Sequence, residues 1–140
     1  MIKKILVAND GSDGARIAVE TAVELAACCG AELHCISVEE DLPHYAATID
    51  EVEAAKERRD QYFARITAET ETIAAAHNVD VETHVLAGHE VETIVTFCRE
   101  GSFDLLVLGF MGHSRIFERI WGSTSQSLTR LAPCSVLVAK

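Results

Sequence analysis

Continuous apolar runs alternate along the chain with segments whose apolar residues recur at helical spacing. This pattern predicts alternating strands and helices. The apolar run at residues 2–8 is typical of a buried strand, whereas apolar residues from Ala15 onward recur at helical spacing until Gly30. Residues 39–50 are acidic and irregular. Further strands are predicted at 33–38, 79–86, 103–108 and 135–139, and further helices at 51–77, 91–101 and 123–131.

The order of these segments predicts an α/β fold. Strictly alternating elements with apolar strands indicate a parallel sheet that is covered by helices on both faces. We therefore expect one domain over residues 1–140, with a doubly wound, Rossmann-like sheet of five parallel strands in the order 3-2-1-4-5.

Composition and charge narrow the function classes. The chain has 140 residues, of which 49% are hydrophobic, and its formal net charge is −10. Such acidity argues against nucleic acid and anionic membranes as partners. The apolar stretch near the N-terminus is short and ends at Asn9-Asp10, unlike a signal peptide, so we expect a cytoplasmic protein.

Neither the cysteines nor the histidines show the spacing of a metal site. Five cysteines form no C-x-x-C pair, which predicts reduced, mostly buried thiols. Six histidines lack helical or finger-type ligand spacing, so we expect solvated or structural histidines and no metal centre.

Two loops at predicted strand ends carry unusual residues. One is residues 9–12 after the first strand, and the other is the glycine-rich segment 109–122 after the fourth strand. In a sheet with the order 3-2-1-4-5 these strands are neighbours at the point of reversal. Ligands of doubly wound proteins bind beyond the carboxyl ends of the strands at that point, so both loops should flank one crevice.

The chemistry of the second loop suits a phosphate. Gly109 and Gly112 permit close approach of backbone to a ligand, and Gly122 leads into Ser123, Thr124 and Ser125 at the start of a helix. The first amides of a helix have no intrahelical partner and carry partial positive charge. Residues 109–140 contain four Lys and Arg and one acidic residue, and Arg115 and Arg119 could add charge to the site. Helix capping and ordinary turns remain the alternative roles of these residues.

Common nucleotide motifs are absent, but another pattern is present. The chain has no G-x-x-x-x-G-K-[S/T], and its first βα turn lacks G-x-G-x-x-G. The spacing G-x2-G-x9-G-S, formed by Gly109, Gly112, Gly122 and Ser123, resembles the signature of the ATP-binding branch of the universal stress protein family. The segments 4–12 and 134–138 resemble the first and last strands of that family.

The resemblance implies an ATP-binding regulatory protein of the universal stress response that works as a conformational or oligomeric switch. Mg²⁺ is left open as a companion of ATP, and an unidentified regulatory protein is an expected partner. By the same resemblance, the adenosine end would meet Ala8, Asp10 and the backbone of Val38. The ribose and phosphates would meet the glycines and hydroxyl residues already named. Met111 occupies a position that is often basic in the family, so Arg115 or His113 would have to replace the missing charge. Ala8 occupies a position that is often proline.

Alternatives remain at the residue and protein levels. Asp10 could contact the ligand, as a Mg²⁺ ligand or general base, or it could help to cap the first helix with Ser12 or Asp13; we favour ligand contact. We expect no dedicated enzyme, with at most slow, incidental ATP hydrolysis. An adenylating enzyme is less favoured because residues 9–12 lack S-G-G, and a scaffold that binds no nucleotide is the third possibility.

The last strand predicts self-association. Residues 136–139 are apolar and uncharged, and the proposed order places them at an edge of the sheet. An exposed apolar edge pairs readily with another chain. We expect a homodimer that is built partly by this strand, as the family resemblance also implies.

Overall fold

A computed structural model describes residues 1–40, 48–110 and 122–140 of the chain. Strands and helices alternate through these residues. They are β1 (Lys4–Ala8), α1 (Asp13–Cys29), β2 (Glu32–Glu39), α2 (Ile49–Ala76), β3 (Val81–Ala87), α3 (Glu90–Gly101), β4 (Leu105–Gly109), α4 (Ser123–Leu131) and β5 (Ser135–Ala139).

The five strands form one parallel sheet in the order β3-β2-β1-β4-β5, which confirms the predicted topology. β1 and β4 are neighbours, with Leu6 opposite Leu106 and Val7 opposite Val107. The chain winds outward from β1 in one direction and returns to β4 on the other side, so the reversal falls between these two strands.

Successive side chains of the central strands point to opposite faces, and each face has its own core. Ile5 and Val7 pack with α1 and with Ala74 of α2. Leu6 packs on the other face with Ile94 of α3 and Leu128 of α4. Because both faces are covered, β1 has fully buried residues on each side, which explains its continuous apolar sequence.

Several helices and strands begin or end at residues other than the predicted ones. Their ends are determined by hydrogen bonds to backbone groups and not by hydrophobicity. α2 begins at Ile49 because Thr48 and Glu51 form a capping box there. β3 begins at Val81, since the Val79 amide donates to Ala74 O and completes the end of α2. The Phe103 amide donates to Cys98 O, so Phe103 precedes β4 although its side chain is buried.

The cysteines divide between core and surface. All five are free thiols; Cys35 and Cys98 are buried, but Cys28 and Cys29 are exposed at the end of α1, which differs from the expectation of mostly buried thiols. Both lie in the last turn of α1, which ends at Cys29. Burial raises the pKa of Cys35 to about 11 and that of Cys98 to about 12, so both stay protonated.

Within the part of the chain that the structure describes, no helix combines the length and the apolar character that crossing a membrane requires.

Candidate functional site

The carboxyl ends of β1 and β4 bring together residues that are about a hundred positions apart in the sequence. Ala8 ends β1, and Gly109 ends β4 on the adjacent strand. The Ser125 hydroxyl, in the first turn of α4, donates to Gly109 O at 2.9 Å. This hydrogen bond fixes the beginning of α4 at the end of β4, beside the turn that follows β1.

Several predicted site residues fall outside the described parts of the chain. Met111, Gly112 and Arg115 belong to the segment 111–121, as do the further charge candidates His113 and Arg119. The remaining predicted residues divide among the turn after β1, the end of β2, the end of β4 and the start of α4.

The turn after β1 is held by its own side chains. Asn9 Oδ1 accepts from the Gly11 amide and Asp10 Oδ1 accepts from the Ser12 amide, both at 2.9 Å. The Ser12 hydroxyl accepts from the Ala15 amide and caps α1. Ser12 is therefore the capping residue, and Asp10 stabilises the turn that leads to it.

Helix α2 supports this turn from outside, through residues that sequence reasoning did not assign to the site. The buried Asn9 side chain donates from Nδ2 to Thr70 Oγ1 at 3.1 Å. The Tyr62 hydroxyl donates to Asp10 O. Burial, together with the negative charge of Asp10, raises the pKa of Tyr62, so its hydroxyl stays protonated and available as a donor.

Gly109 has a packing role that its place in a glycine pattern did not reveal. A Cβ at this position would lie 2.5 Å from Gly14 O and 2.6 Å from Gly14 C, both backbone atoms of α1. The start of α1 therefore approaches β4 so closely that only glycine fits at the end of the strand. The predicted contact between Gly109 and a ligand stays a prediction.

The start of α4 has the form of an anion site. Gly122 is the N-cap residue with φ −60° and ψ 143°, and no side chain in the described ranges caps this end. The first intrahelical bond runs from the Gln126 amide to Gly122 O, so the amides of residues 123–125 precede the ladder. Ser123 is exposed and Thr124 is half-buried. Amides that precede the helical ladder, together with adjacent hydroxyls, can donate hydrogen bonds to a phosphate or a carboxylate.

The end of β2 offers backbone groups on the same side. The Asn9 amide donates to Ile36 O, whereas the Gly88 amide on the opposite side donates to Glu39 O. Alternate residues of β2 thus turn their backbone groups toward β1 and toward β3. By this alternation, Val38 directs its N–H and C=O toward the β1 side, two residues beyond the last bond from Asn9. Such a donor–acceptor pair suits the edge of a planar heterocycle.

The fold and the site define a class of protein. It is a doubly wound α/β protein in which a helix begins where the strand order reverses, with no side-chain cap among the described residues. The model of the universal stress protein family matches residues 1–140. The chain therefore belongs to the universal stress protein family.

Relatives of similar length support this assignment. The chain is 32% identical over 140 residues to the universal stress protein in the QAH/OAS sulfhydrylase 3′ region of Thermus aquaticus, and the match covers 100% of both chains. It is 30% identical over 153 residues to the universal stress protein YxiE of Bacillus subtilis, again with 100% of both covered.

Solved structures share the fold. The universal stress protein UspA from Lactobacillus plantarum superposes with a TM-score of 0.85 at 26% identity, covering 99% of this chain and 98% of that chain. A universal stress protein crystallised in complex with cAMP has a TM-score of 0.73 at 26% identity, covering 99% and 97% of the two chains.

Proposed function

We propose that this protein is a regulatory module that binds ATP across the carboxyl ends of β1, β2 and β4. The proposal rests on the start of α4, which no described side chain caps. The bond between Ser125 and Gly109 holds this helix start at the point where the strand order reverses. The cAMP complex of a relative that is 26% identical supports an adenine nucleotide as the ligand.

The two ends of the crevice suit the two ends of the nucleotide. The N–H and C=O of Val38 would pair with the adenine edge, and Ala8 and Asp10 would lie against the adenosine. The amides of residues 123–125 and the hydroxyls of Ser123 and Thr124 would donate to the phosphates. The Ser125 hydroxyl already donates to Gly109 O and would keep α4 in place instead. Met111, Gly112 and Arg115 complete the proposed set from the segment between β4 and α4, and a Mg²⁺ ion would accompany the phosphates if the ligand is a triphosphate.

A regulatory role suits the site better than catalysis. At this crevice the Ser125 hydroxyl is bonded to the Gly109 carbonyl, and Asp10 Oδ1 is bonded to the Ser12 amide. These bonds hold the turn and the helix start in place and do not pair a nucleophile with a base. We therefore propose that bound ATP sets a conformational or oligomeric state that a partner protein reads. Hydrolysis would be slow and incidental.

Calorimetric titration with ATP, AMP and adenosine tests the proposal. Ser123→Asp places a negative charge beside the proposed phosphates, so ATP affinity should fall by roughly tenfold or more. Adenosine affinity should change little, because adenosine carries no phosphate. Ser135→Asp adds the same charge at the opposite end of the sheet and should leave ATP binding unchanged.

A second variant tests the geometry of the helix start. Among the described residues, no atom lies within 4 Å of a Cβ built on Gly122, so Gly122→Val should fold while its side chain obstructs the phosphates. Mass spectrometry of ligand released from freshly purified protein would identify a retained nucleotide. A flat ATP titration of the wild-type chain would instead favour the scaffold that binds no nucleotide, and normal ATP binding by both variants would place the phosphates elsewhere.

A further inference from the structure

A second cluster of polar side chains lies on β2 and β3, near the amino ends of the strands. It consists of Glu32, His34, Glu82 and His84, with Glu82 opposite His34 in the register of the two strands. His34 and the proposed adenine-reading residue Val38 lie on the same strand, four residues or about 13 Å apart at 3.3 Å per residue. The cluster is therefore separate from the nucleotide crevice.

The ligand atoms of three of these residues converge. His34 Nδ1 lies 2.9 Å from His84 Nε2, and Glu82 carboxylate oxygens lie 3.7 Å from His34 Nδ1 and 3.9 Å from His84 Nε2. Bond lengths of 2.0–2.2 Å around a tetrahedral ion separate ligand atoms by about 3.4 Å. One ligand atom from each of the three residues lies within 4.8 Å of the other two. An ion would fit among them after the two nitrogens part by about half an ångström.

A fourth residue prepares His34 for this role. His34 Nε2 lies 2.5 Å from Glu32 Oε1. The carboxylate can accept only from a protonated Nε2, so Nδ1 of a neutral His34 accepts the 2.9 Å hydrogen bond from His84 Nε2–H. An ion at this point would replace that bond, and His84 would bind it through Nε2 in the tautomer that carries its proton on Nδ1. A carboxylate that orients a histidine in this manner is the usual outer partner of a metal ligand.

Packing holds the two rings in place. The His34 side chain is 8% exposed, and Phe103 meets its ring edge-to-face with the centroids 5.1 Å apart. The His84 ring lies 4.7 Å from that of Phe97 and is 20% exposed, so it can turn toward an ion. Glu82 is 66% exposed and leaves one side of the cluster open to water.

The local charge permits a cation. Glu32 and Glu82 supply two carboxylates, and the Lys4 ammonium donates to Gly101 O and lies over the ring of Phe103.

We propose that His34, Glu82 and His84 form a binding site for a divalent transition-metal ion of the zinc class, with water at the open position. Two imidazoles and one carboxylate suit zinc, whereas Mg²⁺ and Ca²⁺ prefer oxygen ligands alone. Spacing along the chain cannot reveal the site, because its ligands come from two strands and meet only through their register.

Zinc titration of the full chain tests the site. The exposed thiols of Cys28 and Cys29 can bind zinc themselves, so the background variant carries serine at both positions. This protein should bind one Zn²⁺ per chain, and zinc should raise its melting temperature. Glu82→Gln and His84→Gln should abolish both effects, and Glu32→Gln should weaken binding by about ten- to a hundredfold.

Matched controls come from α2 and its end. Glu69→Gln and His77→Gln make the same changes at exposed positions and should leave zinc binding unaltered. The imidazole NMR signals of His34 and His84 should shift together on addition of zinc, whereas that of His77 should not. Absence of zinc binding in the background protein, or unchanged affinity in the Glu82 and His84 variants, would overturn the proposal.

Discussion

Asn9 shows how one buried amide organises the mouth of the proposed nucleotide site. Its side chain accepts from the Gly11 amide and donates to the Thr70 hydroxyl, so it joins the turn after β1 to α2. Its backbone amide donates to Ile36 O, and its carbonyl accepts from the Ser37 hydroxyl. The sequence marked this residue only as part of a turn, since no local pattern reports a partner 61 positions away.

Asn9→Ala should lower the free energy of unfolding by about 1–3 kcal/mol, because the Gly11 amide and the Thr70 hydroxyl lose a buried partner. Urea denaturation measures the change. Thr72→Val serves as the control: Thr72 is an exposed threonine of α2 whose hydroxyl donates to Ala68 O, and its loss should change stability by about 0.5 kcal/mol or less. Equal effects of the two substitutions would contradict a special role for Asn9.

The two described glycines of the 109–122 loop should respond differently to alanine. At Gly109 a methyl group would meet the Gly14 backbone at 2.5 Å, which should cost about 1–3 kcal/mol of stability. At Gly122 a methyl group meets no atom of the described ranges within 4 Å, so the cost should be about 1 kcal/mol or less, from the weaker cap. Thermal denaturation of both variants tests this ranking, and a more damaging change at Gly122 would refute it.

At the scale of elements, the sequence predicts which segments form helices and strands better than where each begins. Apolar spacing identified most of the nine elements of the described chain, because burial on one or both faces leaves a periodic trace. Helix α4 was predicted instead from the glycine and hydroxyl residues at its start and the proline after its end. The ends depend on single hydrogen bonds, such as the capping box at Thr48 or the bond from Val79 to Ala74 O, and these leave a weaker trace.

Asp104 connects the starts of two central strands. Its carboxylate accepts from the amides of Lys3 and Lys4, each at 2.9 Å, and these bonds hold the pKa of Asp104 below its ordinary value. A carboxyl group with a lowered folded-state pKa stabilises the fold above its unfolded-state pKa. That contribution is lost as the pH falls through the folded-state value.

Asp104→Asn should therefore destabilise the protein at pH 7, and the difference from wild type should shrink as the pH falls below about 4. Urea denaturation at several pH values measures it. Asp80→Asn makes the same change on an exposed carboxylate before β3 and should have little effect at any pH. A deficit at Asp104 that stays constant down to pH 2 would show that ionisation is not the cause.

At the scale of the whole molecule, the strand order was predictable and the contents of the site only in part. Alternating elements with apolar strands predict a doubly wound sheet, and that topology brings the loops after β1 and β4 together. The contacts of Tyr62 and Thr70 with the first loop, and the meeting of His34 with His84, depend on helix docking and strand register. These are tertiary properties that a single sequence does not display.

The position of β5 at the sheet edge confirms the premise of the predicted homodimer. The Phe110 amide donates to Ala139 O, so Ala139 turns its backbone toward β4, and by alternation Val138 turns its backbone outward. Proline at an outward position removes an edge donor while the inner ladder persists.

Val138→Pro should therefore weaken dimerisation and leave a folded monomer, as sedimentation velocity at micromolar concentration and circular dichroism would report. Val138→Thr retains the amide and should dimerise like the wild type. A wild-type chain that sediments as a monomer would refute the dimer, and an unchanged dimer of Val138→Pro would move the interface away from this edge.

Helix α4 is short, and only residues 132–134 separate it from the outermost strand. A ligand bound at the start of α4 would therefore contact a helix of nine residues whose other end leads directly to β5, the edge strand. A ligand at the start of α4 and a partner chain at β5 would thus both act on the same short helix.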